Sequence, residues 1–369
     1  MYYVLTVGHK RFDSRIWLKE ITSLVSNGYK IIYLVADGDG NQYVNDVEIR
    51  DFGNIPQRSG FRRRMRCMYK FVSDGDLKRG DIVHFHDGVF LPLAFLLWMR
   101  GCKIVYDVHE DYPRQVLNTR FHPVVKKTLS LSFSLLEWLA GRLFSGIIAA
   151  TPKIAQRFPS YKTVIVQNFP LESEFIMAYE ASYADRPQAF AYVGGITTLR
   201  GIKEMITAVD YVGKNYSPIL ELAGSFSTRE LEHDVRSMSG WKLVNYSGWL
   251  TRQEVSQLLG STRAGLVLFH PVPNHIEAQP NKMFEYMAAG LPVIASDFPL
   301  WRKIIDGSGC GLLVDPMNPE AIAEAMSWVL EHPIEAAEMG RRGKEVVRSK
   351  YNWDIEANKL TSFYQKISH

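Results

Sequence analysis

The stretch Glu277-Ala-Gln-Pro-Asn-Lys-Met-Phe-Glu285-Tyr-Met-Ala-Ala-Gly290-Leu-Pro292-Val-Ile-Ala-Ser296 decides how this chain is read. It reads as a loop, a short helix and a buried strand. Pro280 suits the first helical position, where a missing N–H costs nothing. Asn281, Lys282 and Met283 then offer backbone N–H groups at the positive end of a helix, a setting suited to a phosphate. Glu285 falls about one turn in, where its carboxylate can accept hydrogen bonds from a ribose diol. Glu277, in the loop ahead, can meet a sugar hydroxyl. Gly290 fits the left-handed position after the helix and Pro292 forbids continuation. Residues 291–295 follow as a buried strand. One short piece of chain thus gathers groups for a sugar, a diphosphate and a ribose.

Outward from this stretch, short apolar runs alternate with helical spacing. Residues 2–7, 30–36, 82–85, 103–108, 147–149 and 164–166 read as strands buried on both faces. Residues 16–27 and 91–99 read as helices between them. A second alternation begins at 189–193 and continues with strands at 219–222, 242–246, 264–268, 293–295 and 311–314. Helices are expected at 202–213, 252–260, 281–289, 318–331 and 333–348. The pattern lapses over 171–187, which reads as a linker. The spacing therefore predicts an α/β protein of two Rossmann-like domains, 1–170 and 188–350. Open parallel sheets bind ligands beyond the carboxyl ends of their strands, so the site is expected in a cleft between the two. Residues 351–368 read as one last helix.

Several constellations close the strands. Gly8-His-Lys-Arg-Phe-Asp13-Ser-Arg15-Ile follows the first, where Gly8 allows close backbone approach and Asp13 can cap the next helix. His84-Phe-His86-Asp87 and Tyr106-Asp-Val-His109-Glu110-Asp end later ones. Gly194-Gly195 ends the first strand of the second half, followed by Arg200, whose guanidinium can pair bidentately with a diphosphate. Gly224 and Gly248-Trp249-Leu250 close two more.

Together these motifs resemble the GT-B fold retaining glycosyltransferases of family 4, which build bacterial capsule, exopolysaccharide and lipopolysaccharide. The resemblance rests on Glu277 and Glu285, the Pro-Asn-Lys run, Gly290-Leu-Pro292-Val-Ile, and the Asp13-x-Arg15-Ile pattern. It implies a nucleoside-diphosphate sugar as donor. Glu285, Asn281, Met283, Gly8, Gly194, Gly195 and Gly224 would bind it, with the backbone near Trp249 and Leu250 reading the base. Trp249 reads equally well as a core residue. His109, Glu277, Arg200 and Lys282 would act at the reaction centre, and Asp13, Arg15, His86, Asp87 and Glu110 on the acceptor side. The resemblance also implies a final helix crossing back to the first domain, attack and departure on one face of the sugar, and a leaving phosphate that helps deprotonate the acceptor. The family's usual first basic residue near the glycines is missing beside Gly195, and Lys282 stands in for it.

Composition narrows the rest. The 369 residues carry a formal net charge of +4, with 46% hydrophobic and 22% charged residues, as in a globular protein of two domains. Cys67, Cys102 and Cys310 have no metal-ligand spacing and frame no disulfides, which suits a reducing cytoplasm. Met1 runs straight into an apolar strand without the basic region of a signal peptide. Residues 129–150 contain Glu137 and Arg142, which argue against a bilayer span. Asp37-Gly-Asp39 and Asp74-Gly-Asp76 have the spacing of a divalent-metal pair, yet the two-domain pattern is that of the metal-independent fold. No cofactor and no obligatory metal are expected. Basic and aromatic residues over 58–70, with Lys126 and Lys127, suit an anionic membrane surface. They lack a nucleic-acid recognition module. The expected setting is peripheral, on the cytoplasmic face of the inner membrane, with a polyprenyl-diphosphate-linked glycan as acceptor. The alternatives are a nucleotide-sugar epimerase, a glycogen- or sucrose-synthase-type enzyme, and a non-catalytic nucleotide-sugar binder.

Overall fold

The computed structural model describes residues 1–53, 69, 71, 76–117, 122–175 and 182–368. Most of the basic stretch 58–70, together with Cys67 and Asp74, lies outside them. The chain forms two compact units, Met1–Asn168 with Asp354–His369, and Phe169–Trp353.

The first unit is an eight-stranded sheet in the order β3-β4-β2-β1-β5-β6-β7-β8. Its strands are β1 (Tyr2–Leu5), β2 (Ile31–Val35), β3 (Gln42–Val44), β4 (Val47–Asp51), β5 (Ile82–Phe85), β6 (Lys103–Val108), β7 (Gly146–Ala149) and β8 (Thr163–Ile165). All pairs are parallel except β3 with β4. That hairpin is absent from the sequence reading. Its turn is Asn45-Asp46, both left-handed, which is the residue chemistry a two-residue turn between strands demands.

One face of this sheet is apolar, with Leu5, Val83, Phe85, Ile104 and Tyr106 packed under Phe90, Leu97 and Phe144. Phe85 and Tyr106 stack at 4.7 Å. The opposite face is mixed. His84 pairs in register with Val4 and Val105, and period-2 alternation carries Asp107 onto that same face. The segment 16–26, π-helical over Ile16–Ile21 and α-helical over Thr22–Ser26, lies at this polar patch. The final helix, Trp353–Ser368, completes the unit. Its Tyr364 hydroxyl lies 2.7 Å from His84 Nδ1, and Lys103 Nζ donates to Ile367 O at 2.7 Å.

The second unit is a six-stranded sheet, all parallel, in the order β11-β10-β9-β12-β13-β14. The strands are β9 (Ala189–Val193), β10 (Ile219–Ala223), β11 (Val244–Gly248), β12 (Ala264–Val267), β13 (Val293–Ser296) and β14 (Gly311–Val314). Alternation divides its core cleanly. Phe190, Tyr192, Leu266 and Ile294 face one apolar layer. Ala191, Val267, Val293 and Ala295 face the other, with Phe284, Tyr286 and Trp301. The strand order reverses at β9 and β12, which makes the loops after these strands the switch point where such sheets bind ligands. The described parts of the segment read as a linker, 171–175 and 182–187, pack on this unit. Phe175 is buried, and the Tyr183 hydroxyl donates to Arg263 O.

Gly265 on β12 shows what positions the helix Asn281–Ala288. A Cβ there would come 2.1 Å from the Tyr286 ring. The missing side chain lets Tyr286 lie flat on the sheet, where its hydroxyl accepts from Val193 N at 2.9 Å. Gly265→Val overpacks this contact. It is expected to cost about 1–3 kcal/mol, read as a lower midpoint in urea unfolding.

Candidate active site: a polar cluster in one unit and an anion cradle in the other

In the first unit the two-residue spacing in His84-x-His86 and Asp107-x-His109 brings four polar groups to neighbouring strand ends. Asp107 Oδ2 lies 3.2 Å from His109 Nε2 and 3.4 Å from His86 Nδ1. His86 Nδ1 and His109 Nε2 are 3.1 Å apart. Arg15 closes the cluster from beneath. Its Nη2 reaches both oxygens of Asp107 at 3.1 Å, and Nη1 donates to Val166 O at 3.0 Å. Its Nε lies 2.8 Å from Glu20 Oε1, a close ion pair without hydrogen-bond alignment.

Burial raises Glu20, and the neighbouring Asp107 raises it further. The same burial works against Asp107, but Arg15 and His109 outweigh it and hold that carboxyl well below its usual range. Burial also pushes His86 well down, and His84 less strongly. Burial thus works toward the neutral form at Glu20, His84 and His86, while Arg15 and His109 favour the charged form of Asp107. A carboxylate only accepts, so Asp107 favours a proton on His109 Nε2. Glu20, His86, Asp107 and His109 each bring one possible ligand atom within 4.8 Å of the others. Arg15 already supplies positive charge to both carboxylates there.

The other residues expected on this side divide. Asp13 caps the segment after β1, accepting from Arg15 N at 2.8 Å and Ile16 N at 3.1 Å. Burial opposes its charge, but His9 and these amides hold its carboxyl far below the usual carboxylate range. Arg15 is buried and committed to Asp107 and Glu20. It is a scaffold of the cluster and does not face an acceptor. Asp87 is equally committed, accepting from Val7 N at 2.7 Å and Thr6 Oγ1 at 3.0 Å. Gly8 must lack a side chain because its Cβ would sit 2.4 Å from Asp87 Oδ1. His86 is buried, Glu110 is exposed, and His109 is partly open. Sequence reasoning gave no role to Glu20 or Asp107. The paired x-spacing on adjacent strands is the signal for Asp107, whereas nothing in the local pattern marks Glu20.

The second unit carries a separate cradle at the ends of β9 and β12. Pro280 is the N-cap of the helix Asn281–Ala288, not its first residue. Met283 N donates to Pro280 O at 3.0 Å. The open donors of this helix end are thus the amides of Asn281 and Lys282, one fewer than expected. Gly194, at φ +123°, lies so close that a Cβ would meet Lys282 Nζ at 3.2 Å. Gly224 approaches the same turn, where a Cβ would come 1.9 Å from Gly194 O. Arg200 Nη1 donates to Gly195 O at 3.2 Å.

Lys282 is the telling group. Its Nζ is buried, has no hydrogen-bond partner among the described residues, and sits 3.6 Å over the Tyr192 ring. Burial lowers its basicity well below the usual ammonium range. Arg200 lowers it further and Glu285 opposes weakly. A buried, unpaired cation beside a glycine turn and a helix amino end is a site short of one anion.

Glu285 is half-way into the unit and accepts from Arg252 Nη1 at 2.8 Å. Arg252 also donates to Glu174. Neither Arg252 nor Glu174 was anticipated. Glu277 is exposed at the end of the turn Pro273–Ile276, on a loop pinned where Trp301 Nε1 donates to Ala278 O at 2.7 Å. Trp249 is 73% exposed, which excludes the core reading, and Leu250 packs partly on the apolar layer beneath.

Two family models cover most of the chain. "Glycosyl transferases group 1" matches residues 178–346, and "Glycosyltransferase Family 4" matches residues 15–166. The chain belongs to the GT-B glycosyltransferase superfamily. Curated relatives of this glycosyltransferase include an uncharacterized glycosyltransferase of Methanocaldococcus jannaschii, 28% identical across 93% of this chain and 91% of that one. The D-rhamnosyltransferase WbpZ of Pseudomonas aeruginosa is 27% identical across 73% and 70%. Among solved structures, sucrose-phosphate synthase from Thermosynechococcus elongatus superposes with a TM-score of 0.76 at 18% identity, covering 99% and 98% of the two chains. HepE of Anabaena in complex with UDP-glucose gives 0.72 at 12%, covering 99% of each. These likenesses fix the two-sheet fold.

An anion arriving at Lys282 restores its proton. Below the lowered pKa of the ligand-free protein the lysine is already charged and binding moves no proton. Above it, binding takes one up, so affinity falls as pH rises towards the ordinary value of 10.5. Pyrophosphate titrated calorimetrically in buffers of different ionisation enthalpy is expected to show this proton uptake, and Lys282→Met to abolish it.

Proposed function

We propose that this chain is a retaining glycosyltransferase of family 4 type. It would transfer a sugar from a nucleoside-diphosphate sugar to a lipid-linked glycan in surface polysaccharide synthesis. The observation that carries the reading is the buried, unpaired Lys282 at the amino end of the helix that also bears Glu285. Charge for a diphosphate and an acceptor for a ribose diol stand about one helical turn apart.

In this reading Lys282, Arg200 and the amides of Asn281 and Lys282 stabilise the departing diphosphate. Fixed donors aimed at developing charge are worth several kcal/mol in such settings, and the same work in other enzymes falls to a metal. Glu285 holds the ribose. Glu277 binds hydroxyls of the transferred sugar. His109, whose ring Asp107 orients, is the catalytic histidine of this reading. The leaving phosphate takes the acceptor proton, so no side chain is assigned as general base. The turns at Gly224 and Gly248, with Trp249, meet the nucleobase.

A lipid-linked acceptor fits a second observation. Among the described residues no helix is long and apolar enough to cross a membrane. The helix Pro123–Leu143, however, turns Val124, Leu131, Leu135 and Trp138 outward along one face. Leu131 is 71% and Leu135 58% exposed. Arg142 lies 3.6 Å over the Trp138 ring, and Lys127 flanks the stripe. The only acid in this helix, Glu137, is buried. An apolar stripe on a helix whose exposed charges are all cations complements an anionic lipid surface.

Two measurements test these readings. Thermal unfolding with UDP, GDP, ADP and CDP, without metal, is expected to show a shift with one nucleotide. A ligand at ~100 times its dissociation constant stabilises by about 2.7 kcal/mol. Glu285→Ala should weaken that binding by about 1.5–3 kcal/mol. No shift with any nucleotide removes the donor reading. For the membrane, flotation with anionic vesicles should carry the protein up, zwitterionic vesicles should not, and Leu131→Ser/Leu135→Ser should stay behind. Equal partitioning of variant and wild type rules out this face.

A further inference from the structure

We propose that Arg252 is a positioning residue that aims Glu285 and thereby makes the site select a ribose over a deoxyribose. The inference rests on the reading of Glu285 as the ribose ligand and names the residue that gives this ligand its selectivity.

Arg252 is the first residue of the helix Arg252–Gly260. Thr251 caps this helix reciprocally with Glu254, so the point from which the arginine side chain departs is fixed. The guanidinium then spans two carboxylates. Nη1 donates to Glu285 Oε1 at 2.8 Å, and Nη2 donates to Glu174. The Phe175 ring lies 5.6 Å from Cζ, and Nε is buried with no hydrogen-bond partner among the described residues. A planar fork with one arm on each acid cannot rotate without losing both.

This geometry has two effects on Glu285. It occupies Oε1 and leaves Oε2 as the oxygen to accept from a diol. It also holds the carboxylate in place, with Glu174 across the same guanidinium. Without Arg252 the two acids would lie near each other with no cation between them, and repulsion of like charges drives one away. A carboxylate that has swung away no longer distinguishes two hydroxyls from one. A site built to hydrogen-bond a hydroxyl discriminates strongly against the analogue lacking it, because its buried acceptor is then left unmet. The hydrogen bonds of Arg252 go to Glu285 and Glu174 rather than to Lys282, so the groups proposed to receive the diphosphate are expected to keep their function without it.

The test is calorimetric titration of UDP, GDP, ADP and CDP, each against its 2′-deoxy counterpart, with pyrophosphate as the probe lacking a sugar. The proteins are wild type, Arg252→Ala, Arg252→Lys, Glu285→Ala and the double variant. The wild type should prefer the ribose form of its nucleotide by about tenfold, the range of one charge-assisted hydrogen bond. Arg252→Ala should bring that preference close to unity while pyrophosphate affinity stays the same. Arg252→Lys, able to hold one acid but not both, should recover part of it. The double variant should bind no more weakly than Glu285→Ala alone. A preference retained in Arg252→Ala overturns the proposal. So does a parallel loss of pyrophosphate binding, which marks a general structural role, and so does additivity in the double variant. A wild type that binds none of the four nucleotides, or binds one without regard to the 2′-hydroxyl, overturns the reading of Glu285 and this inference with it.

Discussion

One buried guanidinium organises the first unit. Arg15 touches Asp107, Glu20 and the carbonyl of Val166, joining the segment after β1 to the end of β6 and the chain beyond β8. Two buried carboxylates are tolerable here because this cation sits between them. Removing one partner of such a pair typically costs about 3–5 kcal/mol, because the remaining charge is buried without compensation. The orientation of His109 depends on it at one remove, since Asp107 can hold that ring only while Arg15 holds Asp107. Arg15 thus supports the chemistry without reaching the surface.

The second unit solves a different problem. In the proposed reading it must bring several backbone turns close enough to surround an anion, and side chains are in the way. Gly194, Gly195, Gly224 and Gly201 remove them. At Gly201 a Cβ would come 2.1 Å from Leu268 O. Into this crowded backbone the chain inserts one long aliphatic stem, Lys282, whose charge lies against the Tyr192 ring. The cation–π contact returns part of the desolvation cost. The rest stays as a standing deficit that an anionic ligand relieves.

Much of this was legible in the sequence and some was not. Strands buried on both faces announce themselves as apolar runs, so every central strand of both sheets was expected close to its place. The edge hairpin β3–β4 was overlooked because its strands are short and polar, though Asn45-Asp46 is a turn signal. The glycine after the helix Asn281–Ala288 follows from local chemistry, and Gly290 is left-handed as that chemistry requires. Partnerships across the chain are what local patterns cannot carry. Asp87 was read toward an acceptor because it closes a strand and Arg15 because it matches a family pattern, yet Asp87 is held by Val7 and Arg15 by Asp107, residues 80 and 92 positions away. Arg252 and Glu174 come together from separate elements, and no spacing links them. The Met283 amide was counted as an open donor because it stands at a helix start, whereas the tight first turn returns it to Pro280.

The order of the segments constrains how the first unit is assembled. Its polar patch is finished only when Tyr364 meets His84 and Phe363 fills the space left by Gly146, where a Cβ would come 2.2 Å from that ring. The second unit is one unbroken segment inserted between the two parts of the first. Domains generally fold as units while the chain leaves the ribosome. Here the sheet of the first unit cannot be closed by its final helix until all of the second unit has been made.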